Sequence, residues 1–486
     1  MVKQSSRNRE SFLYEDIANQ IKQLIEKGTY RPGDRIPSVR QMSQQQGVSI
    51  SSVLQAYLLL EGRGLLEARP QSGYYVCHPT SGHLPEPEAS TPGLDPSHVN
   101  LHDLVMMVMR DSLNPSLAQL GAAMPNLELL PTERMNRIMA GLARNSSKGT
   151  HQYLLPPGLE NLRLQIAKRA VNSGCQLSSN DIVITSGGTE AIDLCLHAVC
   201  KPGDIVAIES PMYFGTLQII EVHGLRALEI PTNPRDGISL EALQFAIEHN
   251  PIKAVLTISN FSNPLGSCIP DEKKKELVEL LTRYDIPLID NDVSGEIHFT
   301  EKRPHVTKAY DTKGLVMLCS SFSKDISPAL RVGWIAPGRY KNVVEWLKFT
   351  LSASTATLPQ MAIAEFLDSG GYDHHIRRLR REYANNVAML SQVVTRTFPT
   401  GTRVTRPSGG YVLWVQLPES VDSLELYALA QQGGITITPG YLFSPTNQFQ
   451  NFIRLNAATW NRPIERALEK LGGMVNDLVG REAKKS

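Results

Sequence analysis

No apolar run in this chain of 486 residues approaches the roughly 18 that span a bilayer; Leu104 to Met109 is only a short one. Membrane insertion is not expected, and the polar start, Met1-Val-Lys-Gln-Ser-Ser-Arg7, has no signal-peptide core behind it. Cysteine is scarce. The six, at 77, 175, 195, 200, 268 and 319, form no CxxC pair and join no histidines at zinc spacing, so neither a metal site nor a disulfide framework is expected. They read as buried or free thiols of a cytoplasmic protein. An excess of one charge is missing too: 49 Lys and Arg face 48 Asp and Glu, a net of +1. With 41% hydrophobic and 20% charged residues, disorder is excluded as the main state. There is no internal repeat, and at roughly 100–200 residues per domain the length predicts two to four domains.

The even balance is an average of two parts. Residues 1–76 carry ten Lys and Arg against seven Asp and Glu, a net of +3, and the remaining 410 carry −2. Pro79, Pro85, Pro87, Pro92 and Pro96 mark residues 79–99 as an extended Pro-rich linker, since proline fixes φ and removes a backbone donor. The linker divides a head, residues 10–78, from a body, residues 100–486.

In the head, Leu13, Ile17, Ile21 and Leu24 make one apolar helical stripe, stopped by Gly28 and Pro32-Gly33. A second helix is expected from Val39 to Gln45, a turn at Gly47, and a third helix from Ser49 to Glu61 with Val53, Ala56, Tyr57 and Leu60 on one face. Strands Leu65–Ala68 and Tyr74–Val76 follow, joined by Arg69-Pro-Gln-Ser-Gly73. Three helices and a small hairpin make a winged helix-turn-helix, whose third helix enters the major groove. Candidate DNA contacts are Ser49, Ser51 and Ser52 on the third helix, Arg35 and Arg40 for the phosphates, and Arg69, Gln71 and Gly73 at the wing tip. Each of these polar groups equally suits a solvated surface.

The body alternates β-rich runs with helical stretches. Strands are expected at Ile182–Thr185, Ile205–Glu209, Ala254–Ser259, Pro287–Asp290, Val316–Cys319 and Gly333–Ala336, giving an α/β fold with a mainly parallel sheet covered on both faces. The large lobe spans about residues 140–345. Tyr411–Gln416, Ile435–Thr438 and Phe452–Ala457 belong to a smaller C-terminal α+β lobe over about residues 346–486. Ser186-Gly-Gly-Thr189 opens a helix after a strand, where free N–H groups suit a phosphate. Lys324, just beyond a strand end and flanked by serines, suits an imine with an aldehyde cofactor, or is a surface lysine. Arg331 suits a bidentate phosphate pair. Arg377, Arg378, Arg380 and Arg381 with His374 and His375 form a basic run, read as a solvated face or a second DNA-contacting stripe. Lys273-Lys-Lys275 reads as solvated surface.

Pro32-Gly-Asp-Arg-Ile-Pro-Ser-Val-Arg40, Gly47-Val-Ser49, Ala56-Tyr-x-x-Leu-Glu61 and Arg69-Pro-Gln-Ser-Gly-Tyr-Tyr-Val76 together resemble the GntR family of DNA-binding domains. Many members carry Arg after Gly-Val-Ser, where this chain has Ile50; an apolar contact to a thymine methyl is one substitute. Ser186-Gly-Gly-Thr, Glu209-Ser-Pro-Met-Tyr213, Asn260-Phe-Ser-Asn-Pro-Leu-Gly266, Ser321-Phe-Ser-Lys324 with Arg331, and Phe452-Ile-Arg454-Leu-Asn occur in the order of the fold-type I aminotransferases, which use pyridoxal 5′-phosphate (PLP). Head and body together resemble the MocR subfamily of bacterial transcriptional regulators.

The resemblance implies that Lys324 holds PLP as an internal aldimine. Gly188, Thr189, Ser321, Ser323 and Arg331 would form the phosphate cup, Tyr213 would stack on the pyridine ring and Asn263 would bond its 3′-oxygen. Arg454 would pair with an amino-acid carboxylate. Tyr153 would reach the phosphate of a partner subunit, which implies a homodimer. The partners implied are operator duplex DNA and a small amino compound or amino acid. One run departs from the family. Its usual Glu-Asp-Asp-x-Tyr reads here Ile289-Asp-Asn-Asp-Val-Ser-Gly-Glu296, so Asn291 stands for the Asp that meets the ring nitrogen and Ser294 for the Tyr. Asn cannot supply the charge that keeps the ring protonated, so carbanion chemistry is expected to be weakened while PLP binding survives. A one-residue shift of the strand would bring Asp290 or Asp292 there but turn the faces over. Three readings follow: a PLP-dependent regulator, an active aminotransferase with an accessory head, and a regulator whose body is a cofactor-free dimerisation scaffold.

Overall fold

The structure is a computed structural model and describes residues 13–27, 29–30, 34–62, 65–69, 73–76, 84–145 and 151–482. The chain forms two compact units, Met1–Leu84 with Ala388–Arg396, and Pro85–Val387 with Thr397–Ser486.

The first unit holds α1 (Leu13–Glu26), α2 (Val39–Gln46), α3 (Ile50–Gly62), β1 (Leu66–Arg69) and β2 (Gly73–Val76). Helix α2 begins at a reciprocal cap between Ser38 and Gln41 and stops at Gly47, whose φ of 65° suits a residue without a Cβ. Ile17, Ile21, Ile36, Met42, Val53, Ala56, Tyr57, Leu60, Leu66 and Val76 bury into one core. Tyr57 lies within it because its hydroxyl donates to the Pro37 carbonyl at 2.7 Å. Strands β1 and β2 pair antiparallel, Arg69 opposite Gly73, which completes the winged helix-turn-helix. Gln71 lies outside the described residues.

The second unit begins with β3 (Ser97–His98), α4 (His102–Ser112), β4 (Ala118–Gln119), α5 (Thr132–Asn145) and α6 (Glu160–Ala170). The large lobe continues through β5 (Val183–Thr185), α7 (Gly188–Val199), β6 (Ile205–Ser210), α8 (Phe214–Val222), β7 (Arg226–Asn233), β8 (Gly237–Ile238) and α9 (Leu240–His249). It closes with β9 (Ile252–Thr257), α10 (Asp271–Tyr284), β10 (Leu288–Asn291), β11 (Val316–Ser321) and β12 (Gly333–Ala336). Helices α11 (Lys341–Ser352), α12 (Thr357–Asp368) and α13 (Gly371–Thr397) lead to the small lobe. That lobe contains β13 (Arg403–Val404), β14 (Val412–Gln416), α14 (Ser423–Gln432), β15 (Ile435–Thr436), β16 (Thr438–Pro439), β17 (Phe452–Asn456) and α15 (Arg462–Glu482).

The main sheet runs β3-β7-β6-β9-β10-β11-β12-β5, with β8 beside β7. The five adjacent strands β7, β6, β9, β10 and β11 are mutually parallel, while β12 and β3 run against their neighbours. Strand β7 has no counterpart in the sequence expectation. Pro231 is tolerated near the sheet edge, where it needs no donor. The expected strand Ile435–Thr438 is two short ones, β15 pairing with β4 and β16 with β17.

Proline keeps residues 84–96 out of helix and ladder, but the segment from Pro85 onward is bound down. The Pro85 carbonyl accepts from Val404 N at 2.9 Å. Glu86 pairs with Arg235 through one oxygen and accepts from Arg406 N at 3.1 Å through the other. Ser90 Oγ donates to the Ser210 carbonyl at 2.6 Å. This strap therefore touches both lobes.

Two surface readings are corrected. Lys274 is wholly buried, donating to Asn260 Oδ1 at 2.8 Å and to the His305 carbonyl at 2.7 Å, because separate segments of the chain supply acceptors for its ammonium. Arg380 and His375 face inward, onto Glu296 and the Asp325 carbonyl, whereas Arg377, Arg378 and Arg381 line the outer side of α13. Among the described residues no helix is long and apolar enough to cross a membrane.

Candidate functional site

Residues at or just past the carboxyl ends of β5, β10 and β11 (Gly188, Val293 and Ser321) come together, and Lys324 beyond β11 feels the charges of Arg331 and of Arg454 on the small-lobe strand β17. Helix α7 starts after Gly187, whose φ is 87°, so its first amides are free to face an anion. Arg331 packs across this turn. A Cβ at Gly187 would lie 2.4 Å from Arg331 Nη2, so glycine makes room for the guanidinium. Arg331 itself has φ 51°, a left-handed backbone that costs energy in a residue with a Cβ and fixes where its side chain starts. Its Nη1 is 3.4 Å from Ser323 Oγ and its Nη2 donates to the Ser186 carbonyl at 3.3 Å. Ser321 lies alongside, its Oγ 3.7 Å from the place a Gly188 Cβ would take. Thr189 is exposed on the first turn of α7.

Lys324 donates from Nζ to the Ala123 carbonyl at 2.8 Å. Burial, then the positive charges of Arg454 and Arg331, bring its ammonium down to about 8. Arg454 is fully enclosed. Its Nη1 donates to Asn263 Oδ1 at 3.1 Å and its Nη2 to the Gly121 carbonyl at 2.8 Å and Thr438 Oγ1 at 3.2 Å, while Nε has no partner among the described residues. Phe214 and Phe443 flank the guanidinium at 5.7 and 5.2 Å. Burial lowers its pKa to about 10, against the pull of Tyr213 and Tyr411. Burial also raises the Tyr213 phenol.

Asn291 is 4% exposed and its Oδ1 has no hydrogen-bond partner among the described residues. Its two neighbours are committed on the other face. Asp290 accepts from Ser259 N and Oγ and from Thr307 N and Oγ1, at 2.6–3.2 Å. Asp292 pairs with Arg303 and accepts from Asn260 Nδ2 at 2.9 Å. A shift of the strand by one residue would break all of these bonds, so Asn291 keeps its place. Ser294 follows, half-buried. Tyr153 stands apart, 79% exposed.

Sequence reasoning missed the carbonyls of Gly121 and Ala123, which hold Arg454 and Lys324, and no side-chain signal marks them. It also missed Asp325, whose carboxyl accepts from the Tyr372 hydroxyl and whose carbonyl meets His375 at 2.6 Å, tying α13 to the residue after Lys324.

In the head, Arg40 and Arg35 are exposed, and the Arg35 guanidinium lies 3.2 Å from where a Gly73 Cβ would be. Ser49 is spent locally: its Oγ accepts from Ser52 N at 3.1 Å and lies 2.8 and 2.9 Å from the Ser51 and Ser52 hydroxyls. Of Arg69 only the backbone, at the end of β1, is described.

Such a body, with a lysine near a glycine turn at a helix start and a buried arginine from the small lobe, is of the aminotransferase kind. The chain belongs to the family of class I and II aminotransferases, matched over residues 126–471, and carries at residues 13–76 the head of the bacterial regulatory proteins of the gntR family, which is the MocR architecture. It is 38% identical over 463 residues, 95% of this chain and 98% of the relative, to the uncharacterized HTH-type transcriptional regulator YjiR of Escherichia coli (strain K12). The HTH-type transcriptional regulator NorG of Staphylococcus aureus is 27% identical over 90% of this chain and 98% of its own length. The solved structure of LysN, an alpha-aminoadipate aminotransferase from Thermus thermophilus complexed with N-(5′-phosphopyridoxyl)-L-leucine, is 26% identical. It covers 77% of this chain and 95% of that one, with a TM-score of 0.72.

Proposed function

We propose that the protein is a DNA-binding transcriptional regulator whose body binds PLP and senses an amino compound that bears a carboxylate. The residues fit the cofactor. The α7 amides, Ser321, Ser323 and Arg331 offer a phosphate seat, and the unpartnered Oδ1 of Asn291 leaves a polar atom for the pyridine edge. Tyr213 and Asn263 would hold the ring and its 3′-oxygen, and the free Nε of Arg454 leaves a donor for a ligand carboxylate. PLP, when bound, supplies an aldehyde that condenses with primary amines. Lys324, its ammonium brought down to about 8, is the amine of this chain suited to it. Asn291 orients the ring without a charge, which favours binding over turnover. Exposed Tyr153 fits a role at the site of a partner subunit, so the working form is a homodimer.

The observation that carries this reading is buried Asn291, held by the bonds of Asp290 and Asp292 on the other face, where the family resemblance expects a carboxylate. The test is a titration of duplex DNA at stated salt with PLP and a panel of amines and amino acids, followed in parallel by absorbance. A visible PLP band lost in Lys324→Ala, and a ligand-dependent change in DNA affinity, are expected. Rapid keto-acid release with excess amino acid would favour the active aminotransferase instead.

A further inference from the structure

Helix α3 carries two apolar faces where its fold needs one. Val53, Ala56, Tyr57 and Leu60 are wholly buried and close the head core against α1 and α2. On the opposite side Ile50, Leu54 and Leu58 are 53%, 40% and 52% exposed. Their spacing of four residues makes a single stripe, bordered by exposed Ser51 and Gln55. Three branched aliphatic side chains in line on a face the core does not need mark a contact surface. The polar groups at the helix start offer little competing readout, because the Ser49, Ser51 and Ser52 hydroxyls bond to one another and cap the helix.

We propose that the head reads its operator through this stripe, with Ile50 and Leu54 packed on thymine C5-methyl groups in the major groove and Leu58 continuing the contact. The thymine methyl is the apolar group on a major-groove base edge, and aliphatic side chains select it. Charge complementarity names the occupant: exposed Arg35 and Arg40 belong to the same unit, and residues 1–76 carry a net charge of +3, as suits a polyanion. Four residues of helix advance about 6 Å, close to two base steps, so the two side chains address thymines one to two steps apart. The inference rests on the DNA-binding reading and adds what the head recognises.

The full-length chain selects duplexes from a random pool, and each thymine of the selected site is then replaced by uracil, which removes one methyl and nothing else. At one or two positions per half-site the affinity falls about fourfold, the equivalent of ~0.8 kcal/mol for one buried methyl. In Ile50→Ala or Leu54→Ala the same uracil costs nothing further, which couples residue to methyl. Both positions are exposed, so thermal unfolding of the variants matches the parent. Selection of a duplex whose affinity ignores every uracil overturns the inference and leaves the DNA-binding reading standing. Failure to select any duplex removes both. Self-association lost in Leu54→Ala with unchanged uracil sensitivity assigns the stripe to a second copy and likewise overturns it.

Discussion

The lowered basicity of Lys324 has a measurable consequence for how fast the body takes up PLP. Condensation with an aldehyde needs the neutral amine. With the ammonium at about 8, roughly a tenth of Lys324 is neutral at pH 7, against roughly one part in several thousand for an ordinary lysine near 10.4. The second-order rate of PLP capture should therefore rise close to tenfold per unit below pH 8 and level off above it. Burial is the largest cause and the neighbouring Arg454 the next. Arg454→Gln removes that positive neighbour, so the midpoint of the profile should move to higher pH while the plateau stays. Stopped-flow absorbance of the PLP band between pH 6 and 10 reads both. A rate still climbing tenfold per unit beyond pH 9.5 in the parent, or an unmoved midpoint in Arg454→Gln, would refute the reasoning.

Asn291→Asp should raise the rate at which excess amino acid converts bound PLP, at least tenfold by absorbance. It should also lower the melting temperature of the cofactor-free protein, because a third carboxylate joins buried Asp290 and Asp292. Arg303→Met leaves Asp292 buried without its cation and should cost about 3–5 kcal/mol in urea unfolding. Burial raises the Glu209 carboxyl to about 8, so the folded state holds a proton that the unfolded state releases near its usual value. That contribution is complete below about pH 4 and is lost as pH rises through 8. Glu209→Gln should flatten the fall in stability between pH 5 and 8, measured by urea unfolding at each pH.

The head was legible because its periodicity and turn residues agree: the inward positions 53, 56, 57 and 60 are buried as their spacing requires. The site was legible where side chains sit at strand ends, as with Lys324 and Arg331. Asn291 was singled out by the family resemblance, and Asp290 and Asp292 beside it bond on the other face. Other features depended on long-range packing, which spacing does not encode. Lys274 looks like surface until Asn260 and His305 arrive from distant segments. Strand β7, which contains Pro231, is set by its parallel pairing with β6. The carbonyls that hold Lys324 and Arg454 carry no residue-type signal at all.

The strap changes where the body should be taken to start. A fragment beginning at residue 100, as composition suggests, discards Glu86 with its bonds to Arg235 and Arg406, Ser90 with its bond to Ser210, and the edge strand β3. It also uncovers the side chains of Trp414, Phe449 and Phe452, which line a 220 Å³ cleft beneath residues 87–91. Such a fragment would be sticky at the lobe junction, whereas one cut just before Pro85 keeps its own cover.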